Sequence, residues 1–291
     1  MGDARLAGRI CQALWALYFT DSLYLPLCGT HRRALAALAQ DIRPDLLLRS
    51  KIHAQAVRGS LETAGDEESG VAAAEEHGDA AIADADGAPE EHGPRARLAL
   101  IVRATAREHR AEAHLARAKP LDKAGDKAGA REERTRALAL QREAVALSHE
   151  AGDLRSVVVQ RQKLARCLRA MGDAAGERKE LKRAWEEVLG LREEQGRDAY
   201  NEGRILMELA RLALEAERDL EEAAECIEEA LACFRGTHRR RTADVLCLRA
   251  DLHEAQGDSA GADADLREAA ELYRLDDRIA DLHRVNRRLR R

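Results

Sequence analysis

The sequence predicts an all-α fold built from stacked antiparallel helix pairs. Three observations carry this. First, four segments share one register, counted from the turn positions Gly125, Gly172, Arg218 and Gly257. Twelve residues after each stands Ala137, Ala184, Ala230 and Ala269. Nine residues after stands Leu181, Ile227 or Leu266, with Arg134 as the exception. Sixteen residues after stands Val188, Phe234 or Tyr273, with Gln141 in the first copy. Second, Gly-Asp recurs at turns (Gly125-Asp126, Gly152-Asp153, Gly172-Asp173, Gly257-Asp258). Glycine tolerates the left-handed conformation that ends one helix, and aspartate caps the next. Third, the chain is rich in Ala, Leu, Glu and Arg and has only five prolines, which favours helix throughout. A fixed register at such a period means supersecondary units, each burying its apolar face against its neighbour.

In chain order, residues 4–19 read as an amphipathic helix with Leu6, Ile10, Leu14, Leu17 and Tyr18 on one face. A break covers 20–30. A second helix runs over 31–40 and stops before Pro44, and a third runs over 45–61. The aromatics Trp15, Tyr18, Phe19 and Tyr24 cluster near the start. Residues 64–94 carry ten Asp or Glu and no Lys or Arg, with Val71 and Ile82 as the bulky apolar residues. Such a segment buries too little to offset its ordering entropy. It reads as a mobile acidic linker, the alternative being a degenerate repeat helix. Helix pairs follow at 96–118 with 127–150, 154–171 with 174–195, 199–216 with 220–235, and 239–256 with 259–274. A closing basic helix over 277–291 is suited to cap the stack. The expected divisions are therefore 1–63, 64–94, 95–276 and 277–291.

Leu164-Ala165-x-x-Leu168-x-x-Met171-Gly172-Asp173 resembles the first helix and turn of a tetratricopeptide repeat (TPR). Glu221-Glu222-Ala223 with Ile227, Ala230, Leu231 and Phe234 is similar to its second helix. The resemblance covers 96–275 and is most specific over 153–275. It implies a right-handed superhelix whose first helices line a binding groove. Carried over position by position, it assigns Gln162, Arg166 and Arg169 to that groove in one copy. It assigns Arg204, Met207 and Arg211 in the next, and Asp244, Cys247, Asp251 and Glu254 in the last. The implied groove is basic in the middle and acidic toward its end. Arginine grips carboxylates bidentately, so a partner with an acidic segment is expected.

A second resemblance is to the repeat regions of bacterial signal-transduction ATPases and antibiotic-pathway regulators. It rests on Gln12-Ala13-Leu14-Trp15-Ala16-Leu17-Tyr18-Phe19 followed by His31-Arg32-Arg33-Ala34-Leu35-Ala36-Ala37. The chain has no G-x-x-x-x-G-K-[ST] to cradle phosphates, so their ATPase activity is not carried over.

No hydrolase elbow, H-E-x-x-H pair or dinucleotide fingerprint is present, and no catalytic residue, cofactor or metal is expected. His109 and His114 lie five apart and do not share a helix face. Cys226, Cys233 and Cys247 stand where core packing serves better than zinc. Asp84-x-Asp86-Gly87 lacks the remaining ligands of a calcium loop. The six cysteines, without C-x-x-C spacing, read as reduced thiols of a cytoplasmic protein. No stretch is long and apolar enough for a membrane span. His238-Arg239-Arg240-Arg241 and the terminal arginines Arg284, Arg287, Arg288, Arg290 and Arg291 lack interleaved aromatics, which disfavours nucleic acid. Arginine outnumbers lysine about six to one, a pattern of GC-rich bacterial coding. The expectation is a protein- or peptide-binding module in regulation or signal transduction. The alternative is a sensor of a small ligand or signalling peptide.

Overall fold

A computed structural model describes residues 6–14, 24–41, 45–64, 68–89, 93–276 and 278–290. Among these every regular element is helical and no strand forms. The helices are α1 (6–14), α2 (Tyr24–Ala39), α3 (Leu46–Ala64), α4 (Glu68–Gly87), α5 (Pro94–Lys123), α6 (Lys127–Glu150) and α7 (Leu154–Met171). They continue with α8 (Ala174–Gln195), α9 (Ala199–Leu212), α10 (Leu220–Phe234), α11 (Arg239–Gln256), α12 (Ser259–Leu275) and α13 (Ile279–Arg288). A π-helical turn, Ala213–Glu217, extends α9. Within a compact unit, short connections favour antiparallel packing of consecutive helices.

Two compact units result, Met1–Asp173 and Ala174–Arg291. The division falls inside the expected 95–276 repeat region. In the first unit α3 packs on α4, α4 on α5, α5 on α6 and α6 on α7. In the second, α9 packs on α10, α10 on α11, α11 on α12 and α12 on α13. Odd-numbered helices also touch one another: α3 with α5, α5 with α7, and α9 with α11. These contacts give each unit one face built from first helices.

The turn chemistry is as the sequence predicts. Asp126, Asp153 and Asp258 accept from the backbone N–H three residues on, as do Asp198 and Asp219. Gly172 and Gly257 close their helices at φ 77° and 81°. Arg218 does the same job at φ 60°, where a side chain is strained. The register positions are buried: Ala137, Ala184, Ala230 and Ala269 are each at 0% exposure, as are Val188, Phe234 and Tyr273. Arg134, the exception, stays at the surface edge and pairs with Asp122.

Three expectations are corrected. The segment read as a linker is, over Glu68–Gly87, the packed helix α4, with Val71, Ala74, Ala81 and Ala85 buried. Its small residues let α3 and α5 approach closely. At Gly78, an added Cβ would lie 2.6 Å from Arg110 Cδ. Its acids are matched from the neighbouring helices. Arg49 Nε on α3 donates to Asp84 at 2.8 Å, and Arg110 and Arg107 on α5 hold Asp79 at 2.7 Å and Asp86 at 2.9 Å. Asp79, Asp84 and Asp86 are thus paired in place rather than solvated. Next, α2 starts at Tyr24, inside the expected break. Pro26 falls in the first turn, where its missing N–H costs nothing. Finally, α1 buries the opposite side from its apolar one: Cys11 is at 0% exposure while Leu6 and Ile10 are 56% and 50% exposed. Gly8 explains this, since its bare Cα lets Leu48 and Leu38 come within contact of the helix. Residues 15–23, with most of the aromatic cluster and part of the second resemblance, lie outside the described residues.

Candidate functional site

In the first unit a cleft of about 310 Å³ lies between α3, α5 and α7, with Val71 of α4 also in its lining. Apolar Leu61, Val71, Leu115 and Ala116 line it together with Arg58, Lys119, Arg166, Glu62 and Glu112. Three cations therefore face two carboxylates. Helical spacing produces this directly: Glu108, Glu112, Leu115 and Lys119 recur at three or four residues along α5 and share one side.

Glu112 organises the cleft. Its side chain is 11% exposed and is approached by Arg58 at 3.4 Å, by Lys163 in direct contact, and by Arg166 at 4.0 Å. Burial alone would raise its pKa, but Lys163 and then Arg58 hold it well below the usual carboxylate range. Lys163 also meets Glu108 at 3.3 Å. Behind Glu108 the chain of contacts continues inward. Gln160 Nε2 donates to Glu108 at 2.7 Å, and Gln141 Nε2 donates to Gln160 Oε1 at 2.7 Å. Glu112 is thus joined through Lys163 and Glu108 to a connected polar network behind the cleft. Arg58 is also tied to Glu62 at 2.8 Å, whereas the Arg166 side chain is 41% exposed.

The structure distributes the groove residues predicted from sequence unevenly. Arg166 is at the cleft, and Arg169 is half-buried on the same helix. Gln162 is 1% exposed and its side-chain amide finds no hydrogen-bond partner among the described residues. It is a core residue, because the α7 face it occupies, with Val158 and Ala165, turns inward. In the second unit Met207 is also buried, at 6%. Arg204 stacks over Tyr200, 5.8 Å from the ring centroid. Arg211 is paired with Glu208 at 2.7 Å. The acidic residues are engaged from within the chain. Asp244 accepts from Tyr273 Oη at 2.6 Å and from Arg241 at 3.1 Å. Asp251 and Glu254 are both held by Arg288 of α13, at 2.6 and 2.8 Å. Cys247 is half-buried, and burial pushes its thiol up to about 11. Cys226 is buried, with its thiol also at about 11, which disfavours thiolate chemistry. All six cysteines are thiols. A smaller cleft of about 290 Å³ lies beside Asp251, between Leu214, Arg218 and Leu248.

Arg58, Glu62, Glu112 and Lys119 escaped the sequence reading. For Glu112 and Lys119 the signal lies in the i, i+4 and i+7 pattern of α5; Arg58 and Glu62, on α3, lie outside the repeat pattern. The α5 signal was masked because the first copy matches the repeat poorly, so no groove positions were transferred to it.

No protein-family model and no curated protein matches the chain. Solved structures do match. BtubC (BKLC) from P. vanneervenii aligns with a TM-score of 0.53 at 16% identity, covering 90% of this chain and 92% of that one. A Podosopora anserina protein described as kinesin light chain nearly identical TPR-like repeats aligns in two structures. Their TM-scores are 0.54 and 0.51, at 18% and 19% identity, over 82% and 81% of this chain and 99% and 98% of theirs. At such identities the likeness concerns the fold. The chain has a TPR-like, all-α repeat fold. No helix among the described residues is long and apolar enough to cross a membrane.

Proposed function

We propose that the chain is a peptide-binding scaffold that seats an acidic segment of a partner protein in the cleft of α3, α5 and α7. The observation that carries the reading is the cleft itself: an apolar lining with three cations, Arg58, Lys119 and Arg166, against two carboxylates, Glu62 and Glu112, leaving a net positive charge. An apolar lining supplies affinity, and guanidinium groups supply orientation and selectivity for carboxylates. The acidic end of the expected groove contributes less, since Arg288 already satisfies Asp251 and Glu254. A regulatory role in a bacterial cytoplasm, without catalysis of its own, fits this reading. It rests on the arginine-rich composition and on the likeness to bacterial regulators.

A second reading has one observation in its favour. A volume of about 310 Å³ is at the lower end of small-molecule pockets, roughly 300–1,000 Å³. A small anionic ligand or signalling peptide would then occupy the same cleft.

The test is affinity capture with the full chain, followed by titration of the captured partner against Arg166→Glu combined with Lys119→Glu. A tenfold or greater loss of affinity with an unchanged melting temperature is expected. Affinity should also fall as salt rises, since solvated charges are screened over about 8–10 Å near physiological ionic strength. Equal affinity of parent and double variant would remove the cleft from the binding site. A co-purifying small anion released by the double variant would select the second reading.

A further inference from the structure

Away from the cleft, three side chains from three successive helices converge in the first unit: Glu75 on α4, His114 on α5 and Glu133 on α6. Each offers one ligand atom, and the three atoms lie within 4.8 Å of one another. His114 is 6% exposed, and its Nδ1 lies 2.6 Å from Glu133 Oε2. The Glu133 side chain is 12% exposed and that of Glu75 26%. We propose that these residues form a binding site for a first-row divalent transition metal such as Zn²⁺, which ties α4, α5 and α6 together.

Two independent arguments support the site. The first is donor chemistry. One imidazole nitrogen with two carboxylates suits zinc, manganese or cobalt better than calcium or magnesium, which favour all-oxygen shells. Ligand atoms bound at about 2.0–2.2 Å sit roughly 3–3.5 Å apart, so swings of the two flexible Glu side chains close the set without moving a helix. Three protein ligands leave at least one position for water.

The second argument is charge. Arg110 is shared between Glu75 at 3.6 Å and Asp79 at 2.7 Å. Arg136 is shared between Glu133 at 2.9 Å and Glu132 at 2.5 Å. Four carboxylates thus face two guanidinium groups, so Glu75 and Glu133 beside the buried imidazole are each only partly compensated by an arginine shared with a second acid. A divalent cation completes that compensation. Sequence reading misses the site because its members are 39 and 19 positions apart along the chain, with no short motif.

The experiment is calorimetric titration of the chelator-treated full chain with ZnSO₄, MnCl₂ and CoCl₂ in turn, alongside thermal melting. One equivalent should bind with a dissociation constant in the micromolar range or below, and the melting temperature should rise with metal concentration. Glu75→Gln and Glu133→Gln keep side-chain size but remove the charge that a metal needs, and the metal-free melting of each variant is the reference for its own titration. Each should weaken binding at least tenfold, while Glu132→Gln binds as the parent does. Binding should also weaken as pH falls, because a metal-bound imidazole must be neutral. Absence of binding by all three metals would overturn the site. So would parent-like binding by both Gln variants; loss of binding in His53→Gln would then place the metal at His53 and His77, whose Nδ1 atoms lie 3.1 Å apart.

Discussion

The side-chain amide of Gln141 donates to Oε1 of Gln160 at 2.7 Å, in the register position where later copies place Val188, Phe234 and Tyr273. Gln141 also donates to the Gln160 backbone carbonyl at 3.1 Å, and it is 1% exposed. A polar residue at a core position is tolerated only when its partners are in place. Here those partners lead on to Glu108 and, through Lys163, to Glu112 in the cleft.

Gln141→Val should therefore destabilise the first unit, although it restores the apolar residue of the later copies. Gln160 keeps its bond to Glu108 but loses a donor to its own oxygen. The expected cost is about 1–3 kcal/mol, read from the urea midpoint. A variant at least as stable as the parent would show that the network contributes nothing.

Arg218→Gly should stabilise the chain. Arg218 sits at φ 60°, the one non-glycine residue with positive φ among the described residues. Left-handed backbone costs a side-chain-bearing residue about 1–2 kcal/mol, and the greater freedom of glycine in the unfolded chain offsets part of that gain. A net rise of about 0.5–1 kcal/mol is expected in thermal melting. A lower melting temperature would mean that the Arg218 side chain holds the turn by contacts.

Ala230→Leu tests the register. Ala230 is fully buried beside Ile227 and Phe234. Extra methylenes in such a contact force rotamer and backbone shifts, at about 1–3 kcal/mol. An unchanged midpoint would show that α10 has room to spare.

Stability should fall as pH drops from about 6.5 to 4. Burial pushes His31 down to about 4. Burial, with the neighbouring His77, does the same to His53, while Asp84 pulls the other way. His53 Nδ1 faces His77 Nδ1 at 3.1 Å, and Gln55 on α3 opposes part of the downward push on His31. In this window the unfolded imidazoles bind protons that the folded ones refuse, so protonation favours the unfolded state. His31 alone should contribute on the order of 3 kcal/mol, complete above pH 6.5 and gone near pH 4. His31→Gln should flatten the profile of urea midpoint against pH. A profile identical to the parent's would exclude His31 as its source.

Periodicity made the paired helices, their caps and the buried alanines legible, because each depends on residues within one or two turns. What escaped depends on partners far along the chain. The acids of α4 read as solvated until Arg49, Arg107 and Arg110 are placed beside them. Gln162 read as groove-facing because a family position was transferred to a helix whose inward face is wider than the pattern. The buried side of α1 was hidden because Gly8, with no side chain to score, marks the close approach.

The composition of α4 has a consequence for the order of assembly. With Gly70, Ala74, Gly78, Ala81 and Ala85 facing inward, this helix carries little hydrophobic drive of its own. Its charges repel one another until arginines from α3 and α5 arrive. A helix stabilised chiefly by its neighbours cannot nucleate ahead of them. In folding time, α4 should be the latecomer of its unit, with transition-state values near zero at Ala74 and Ala81 and higher ones where α5 meets α6. The first unit should then close around α4, its acidic ladder registering only once the cationic rails on either side are standing.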